Sequence, residues 1–201
     1  MRSRHVILVV FSAVAWLALP ANAFSQERKG FWFGIGGGYG SAGISCADCD
    51  NEKREGSGVA LLEGGWTLNP HTRVGLEFNY WSKDDTSDPD FRATLNLYNF
   101  SGAVTYFPQP TSGFFVKGGA GVAIIDVDLS GSGSSATLDL GKGFGFVVGA
   151  GYDIPVWRRV SVTPAVNFWY GQPGDLKIFG TTFSSNWKQN VIDFTIGITV
   201  P

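Results

Sequence analysis

Charge is what this chain has least of. Asp, Glu, Lys and Arg make up 16% of its 201 residues, against about 25% in ordinary soluble domains. Histidine and cysteine each occur twice. One histidine, His5, lies in a basic N-terminal stretch, which leaves His71 alone in the remainder. His71 has no Ser or Asp beside it in sequence, so the base–nucleophile pairing of hydrolases finds no support. Two cysteines without a second pair do not complete a zinc site. The formal net charge is −2, and no basic stripe of the kind that nucleic acid requires is present. Heptads and helix-period apolar stretches are also missing. Beyond the N-terminus no segment is long and apolar enough for a membrane-spanning helix.

The N-terminus reads as an export signal. Arg2, Arg4 and His5 precede an apolar run from Val6 to Leu19, interrupted at Ser12. Pro20-Ala21-Asn22-Ala23 then supplies small residues for cleavage after Ala23. The run is shorter than the ~20 residues that span a bilayer. The expected organisation is a signal peptide over 1–23 and one domain over 24–201. Removing Arg2 and Arg4 takes the net charge from −2 to −4 (−2 − 2). In an oxidising compartment, Cys46-Ala47-Asp48-Cys49 reads most simply as a local disulfide. Free thiols are the alternative, with metal or redox chemistry behind them.

What the chain has in quantity is glycine, 28 residues, and aromatics at 14%. They fall into alternating segments separated by turns, and eight strands can be counted. These run over Phe31–Gly40, Ser57–Leu68, Thr72–Ser82, Ala93–Phe107, Gly113–Val127, Gly141–Tyr152, Arg159–Tyr170 and Lys188–Val200. In the third, Val74, Leu76, Phe78 and Tyr80 alternate with Arg73, Glu77 and Asn79. In the sixth, Phe144, Phe146 and Val148 alternate with Gly143, Gly145 and Gly149. Leu95 and Leu97 break the pattern of the fourth, and a bulge there is expected to restore it. Connections near Pro70, Gln109 and Pro155 are short. Those over Ser41–Gly56, Lys83–Arg92, Asp128–Leu140 and Gly171–Trp187 are longer and polar.

Short turns at one end and long loops at the other are the pattern of transmembrane barrels. One face of the strands carries large aliphatic and aromatic side chains; the other is rich in Gly, Ala, Ser and Thr. A face of that kind cannot fill a soluble apolar core, whereas the large face suits lipid. Aromatics near strand ends, among them Phe31, Trp66, Trp81, Tyr106, Phe107, Trp157, Trp169 and Trp187, are expected to form interface girdles. The fold expected is all-β: an eight-stranded antiparallel up-and-down transmembrane β-barrel, with termini at the short-turn, periplasmic end.

Two segments carry a family resemblance. Gly113-Phe114-Phe115-Val116-Lys117-Gly118-Gly119-Ala120-Gly121 resembles a mid-barrel strand of small outer-membrane barrels of the OmpA-like transmembrane type. Tyr98-Asn99-Phe100-Ser101-Gly102-Ala103-Val104-Thr105-Tyr106-Phe107-Pro108 resembles a strand of that family running into a periplasmic turn. The resemblance covers Gly30 to Pro201. It implies insertion in the outer membrane by the assembly machinery, and no single activity. The chain departs from the family at its end, Ile198-Thr199-Val200-Pro201, where a terminal aromatic is usual.

Candidate site residues lie on the expected inward face: Glu63, Arg73, Glu77, Lys117, Arg159 and Asp193. Charges in a narrow barrel must be paired or hydrated. Glu63, Glu77, Lys117 and Asp193 are candidates for a lumen ion-pair network that plugs the barrel, with a gate or small ion path as the alternative. Asp84, Asp85, Asp88 and Asp90 cluster beside Lys83 and Arg92 without the Gly-centred spacing of a calcium loop, and read as a solvated loop. Gly131-Ser132-Gly133-Ser134-Ser135 reads as a loop tip. No cofactor, metal site or catalytic group is expected. The partners expected are outer-membrane lipid and, during insertion, the assembly machinery. The function expected is a structural or surface-interaction role. A narrow pore for small solutes and a soluble periplasmic ligand-binding barrel are the alternatives.

Overall fold

The computed structural model describes residues 28–45, 54–88, 91–131, 134–178 and 181–200. Nine strands follow in order: β1 (Gly30–Ser45), β2 (Glu55–Asn69), β3 (Thr72–Asp88), β4 (Phe91–Tyr106), β5 (Phe114–Gly131), β6 (Ser134–Tyr152), β7 (Ile154–Trp157), β8 (Val160–Ile178) and β9 (Thr181–Val200). Each of β1 to β5 pairs antiparallel with the next, as do β7 with β8 and β8 with β9. Pairing of β1 with β9 and of β6 with β8 closes the sheet. Only Asp153 separates β6 from β7, and both pair with β8. They are one stave broken at Asp153, so the barrel has eight staves.

The register fixes its shape. Following paired residues around the wall from Trp32 leads through Gly65, Gly75, Ala103, Gly119, Val147, Trp169 and Val191 to Ala42. The path returns to β1 displaced by 42 − 32 = 10 residues. Eight staves at ~4.8 Å with a ten-residue shear tilt the strands by roughly 40°. Closure requires close approach at the β1–β9 seam. There, a Cβ on Gly38 would overlap the Phe194 carbonyl oxygen.

Alternation decides which side chains face where. Ile35, Leu76, Val104, Val148, Val166 and Ile196 are exposed on the outer wall. Phe31, Trp66, Tyr106 and Trp157 are exposed on the same wall towards the end that carries both termini. The expected bulge at Leu95 and Leu97 is absent. β4 keeps unbroken register with β5 throughout, and with β3 past both leucines. Leu97 is fully buried inside the barrel, and Leu95 packs beside it. Burial satisfies these leucines in place, so no bulge is needed.

The strands also run further than their alternation suggests. Much of the sequence expected as long polar loops is extended ladder: β3 reaches Asp88, β5 reaches Gly131, and β8 and β9 continue to Ile178 and from Thr181. The hairpins β3–β4, β5–β6 and β8–β9 therefore project past the apolar belt at the end away from the termini. At the other end, the turn after β7 is Arg158–Arg159, and the segment around Pro155 is strand.

Candidate functional site: the barrel interior

The interior is filled in three tiers. Nearest the hairpins lies an apolar cluster of Trp81, Leu97, Ile125, Val147, Trp169 and Val191, with Ala42 and Val59 at its edge. The girdle expected from the sequence puts Trp81 and Trp169 on the outer wall. Both instead point inward, at 1% and 0% exposure, and Phe107 at the opposite end is equally enclosed. Trp187 packs against the same cluster. Indole N–H groups need acceptors when buried. Trp81 Nε1 donates to the Gly40 carbonyl at 3.2 Å, and Trp169 Nε1 donates to Asp193 Oδ2 at 2.9 Å.

The middle tier is polar. Lys117 Nζ lies 2.9 Å from Glu77 Oε2 and 3.5 Å from Glu63 Oε2. Asn79 Nδ2 donates to Glu77 Oε1 at 2.9 Å, and Ser101 Oγ donates to Asn99 Oδ1 at 2.6 Å. Asp193 stands apart from the Lys117 pairings. It accepts from Asn167 Nδ2 at 2.8 Å as well as from Trp169. Small residues make room: a Cβ on Gly34 would meet the Glu63 side chain at 2.9 Å. A void of about 10 Å³ between Leu61, Glu63, Lys117, Thr163 and Thr199 is of the size one water needs.

The tier at the terminus end is a cation–aromatic plug that alternation does not reveal. Arg73 Nη1 lies 3.3 Å from Asp153 Oδ2. Thr163 Oγ1 donates to Asp153 Oδ1 at 2.9 Å. Arg28, just ahead of β1, reaches across the opening. Its guanidinium donates to the carbonyls of Pro110 and Ser112 at 2.7 and 2.8 Å and stacks 3.9 Å above the Phe107 ring. Burial pulls the Arg28 pKa below its ordinary value, and the Asp153 carboxylate counters that pull. Gly30, at φ +81°, supplies the bend that turns the chain from Arg28 into β1. The β4–β5 turn is too distant in sequence for periodicity to reveal this contact.

Other candidates are placed as follows. Arg159 does not face inward: it is exposed in the β7–β8 turn, where no strand directs its side chain into the barrel. His71 caps the β2–β3 turn, its Nδ1 2.9 Å from the Phe107 carbonyl oxygen. Asp84, Asp85 and Asp88 lie on β3, not in a loop, and Asp84 accepts from Thr94 Oγ1 at 2.8 Å. Asp90, Cys46 and Cys49, residues 132–133 of the Gly/Ser tip and the segment 1–27 lie outside the described residues. Among the described residues no three His, Cys, Asp or Glu side chains converge as metal ligands.

Comparison with known proteins agrees with the architecture. The family model for the outer membrane protein beta-barrel domain matches residues 11–198. No curated protein matches the sequence. Among solved structures, Ail, the attachment invasion locus protein of Yersinia pestis, in complex with the heparin analogue sucrose octasulfate, is similar with a TM-score of 0.55 at 10% identity. The match covers 86% of this chain and 99% of that one. Neisserial surface protein A is similar with a TM-score of 0.55 at 15% identity, covering 85% of this chain and 96% of that one. At these identities the likeness is one of fold.

Proposed function

The chain belongs to the outer membrane protein beta-barrel domain family, and from that membership we propose a sealed outer-membrane barrel that acts through its projecting hairpins. The observation that carries this reading is the double seal. An apolar cluster fills the hairpin end, and Arg28, Arg73, Asp153 and Phe107 fill the terminus end. Between them the Lys117 pairings to Glu63 and Glu77 are enclosed, and eight staves leave room for little beyond side chains.

On this reading residues 1–23 are removed on export, the assembly machinery inserts the barrel, the termini are periplasmic and the hairpins face outward. The role is structural or one of surface interaction, without catalysis. Ail, of similar fold, forms a complex with a heparin analogue. Here the hairpins are the surface available for contacts with molecules outside the cell. The polar middle tier supports a second reading, a narrow pore opened by movement of both seals.

Two measurements test the proposal. Purified protein in planar bilayers is expected to give no steady conductance, and the folded band is expected to shift on boiling in a detergent gel. Steady channels in the unmodified protein would replace the sealed barrel with the pore. Protease added to intact cells is expected to cut the hairpins and spare the β2–β3 and β4–β5 turns; the reverse pattern would invert the orientation.

A further inference from the structure

The plug at the terminus end holds more positive charge than its own carboxylate answers. Arg73 spends Nη1 on Asp153 Oδ2 at 3.3 Å. Arg28 spends both Nη atoms on the carbonyls of Pro110 and Ser112, and its Nε stands 4.0 Å from the same Asp153 oxygen. Two enclosed guanidinium groups therefore share one carboxylate. The next carboxylates inward are committed elsewhere: Glu63 and Glu77 face Lys117, and Asp193 accepts from Asn167 and Trp169. The strand ends and turns around the plug (residues 28–32, 66–73, 105–115 and 151–162) add Lys29, Arg158 and Arg159 and no carboxylate besides Asp153.

Hydrogen bonding shows the same imbalance. Among the described residues, Arg73 Nε and Nη2, Arg28 Nε, Trp32 Nε1 and Thr67 Oγ1 are buried without a hydrogen-bond partner. The four residues are between 3% and 7% exposed. All five atoms can donate, and four can do nothing else. They belong to neighbouring elements: Trp32 is on β1, Thr67 on β2 and Arg73 on β3. Thr67 pairs directly with Arg73 on one side and with Gly30 on the other. Arg73 also lies 5.3 Å from the Trp32 ring centroid and 5.1 Å from that of Phe107. These rings attract its charge but supply no counter-charge. Gly30 leaves space beside Thr67, since a Cβ there would meet nothing within 4 Å.

We propose that the terminus-end plug is a binding site for one small carboxylate anion, gripped by Arg73 and bonded by Trp32, Thr67 and Arg28. Nε and Nη2 form one edge of a guanidinium, and that edge matches the two oxygens of a carboxylate. Arg73 has this whole edge unspent. A single negative charge also balances the tier, two cations then facing two anions. Water offers acceptors to the same donors but leaves the second buried cation unpaired, which is the costly arrangement. Arg28 closes the site from the opening, so the anion enters and leaves at the terminus end. The inference goes beyond the sealed-barrel reading and holds whichever way the hairpins face.

The test is nuclear magnetic resonance of the nitrogen-labelled protein, folded in micelles and checked by its gel shift on boiling. Formate is the probe, exchanged against a bulky sulfonate at constant ionic strength. The Nε–H peaks of Arg73 and Arg28 and the indole peak of Trp32 are expected to move together and to saturate. The indole peaks of Trp81 and Trp169, already bonded at 3.2 and 2.9 Å, are expected to stay. Trp32→Phe keeps the ring and removes one donor, and is expected to weaken formate binding about tenfold. Arg73→Lys keeps the charge and removes the edge, and is expected to weaken it about tenfold or more. Arg159→Gln removes a charge from the exposed β7–β8 turn and is expected to change little. No saturable movement in the unmodified protein, or equal movement of the Trp81 and Trp169 peaks, would overturn the site. So would equal weakening by Trp32→Phe and Arg159→Gln, since a general field would then account for the binding. Phosphate binding more tightly than formate would overturn the carboxylate as the ligand class. Binding that appears only once Glu27→Gln has removed the carboxylate next to Arg28 in sequence would overturn a free anion as the occupant. Loss of the gel shift in the unmodified protein would instead strike at the barrel reading itself.

Discussion

Replacing Lys117 by Met removes the one ammonium that faces two enclosed carboxylates. At separations of 2.9 and 3.5 Å and an effective dielectric near 20, the gross attractions are about 6 and 5 kcal/mol. Most of this is offset by the cost of taking three charges out of water. Breaking such a pair from one side leaves a net loss of about 3–5 kcal/mol, because the remaining charge is stranded. Set against a total stability of about 5–15 kcal/mol, that is a large fraction. The loss should follow from the stranded charge and not from missing packing, since Met fills similar volume. Glu77→Gln added to Lys117→Met therefore should recover much of it, leaving Glu63 alone beside a neutral amide. The assay is urea unfolding in lipid vesicles, followed by tryptophan fluorescence, on the unmodified protein, both single variants and the pair. Lys117→Met costing under about 1 kcal/mol, or a double variant weaker than Lys117→Met by the full Glu77→Gln penalty, would refute the stranded-charge account. Neither variant should conduct in planar bilayers, because the seals above and below remain.

Gly38→Val should prevent closure, since even a Cβ would overlap the Phe194 carbonyl; the readout is loss of the heat-shifting band after refolding. Trp169→Ala should cost about 3–5 kcal/mol as a core cavity, and urea unfolding measures it. Arg28→Ala should loosen the opening at the terminus end at a cost of about 1–3 kcal/mol, seen as faster amide exchange in the β4–β5 turn with exchange in the upper strands unchanged.

Much of this architecture is legible because alternation is local. Leu76, Phe78 and Tyr80 against Glu77 and Asn79 state which face is which without any tertiary information. The same rule, applied strictly, places Trp81 with Glu77 and Asn79, and Trp169 with Asn167, which is where the structure has them. An aromatic's usual home at the membrane interface argues against that parity, and here parity wins. Leu97 misleads in the other direction: an apolar side chain on the polar face suggests a bulge, whereas it belongs to an interior that is not polar throughout. Parity also marks Glu63, Glu77 and Lys117 as sharing one face. Which of them meet depends on the ten-residue shear, a property of closure that no single strand carries. Arg28 and Asp153 are illegible for a related reason. One precedes the first strand and the other sits at a break, so neither belongs to an alternation, and both act across the barrel opening.

The continuation of the ladders past the belt has a consequence for what can vary. Thr181 to Lys188 alone, at ~3.3 Å per residue and a tilt near 40°, lifts the β8–β9 tip by roughly 20 Å above the last apolar ring. A lever of that length separates the tip from every contact that closes the wall or fills the interior. Substitutions at the tips can then change what the molecule meets without reaching the energetics that keep it folded. Three such levers on one cylinder leave the sequence of the tips and the stability of the wall free to evolve apart.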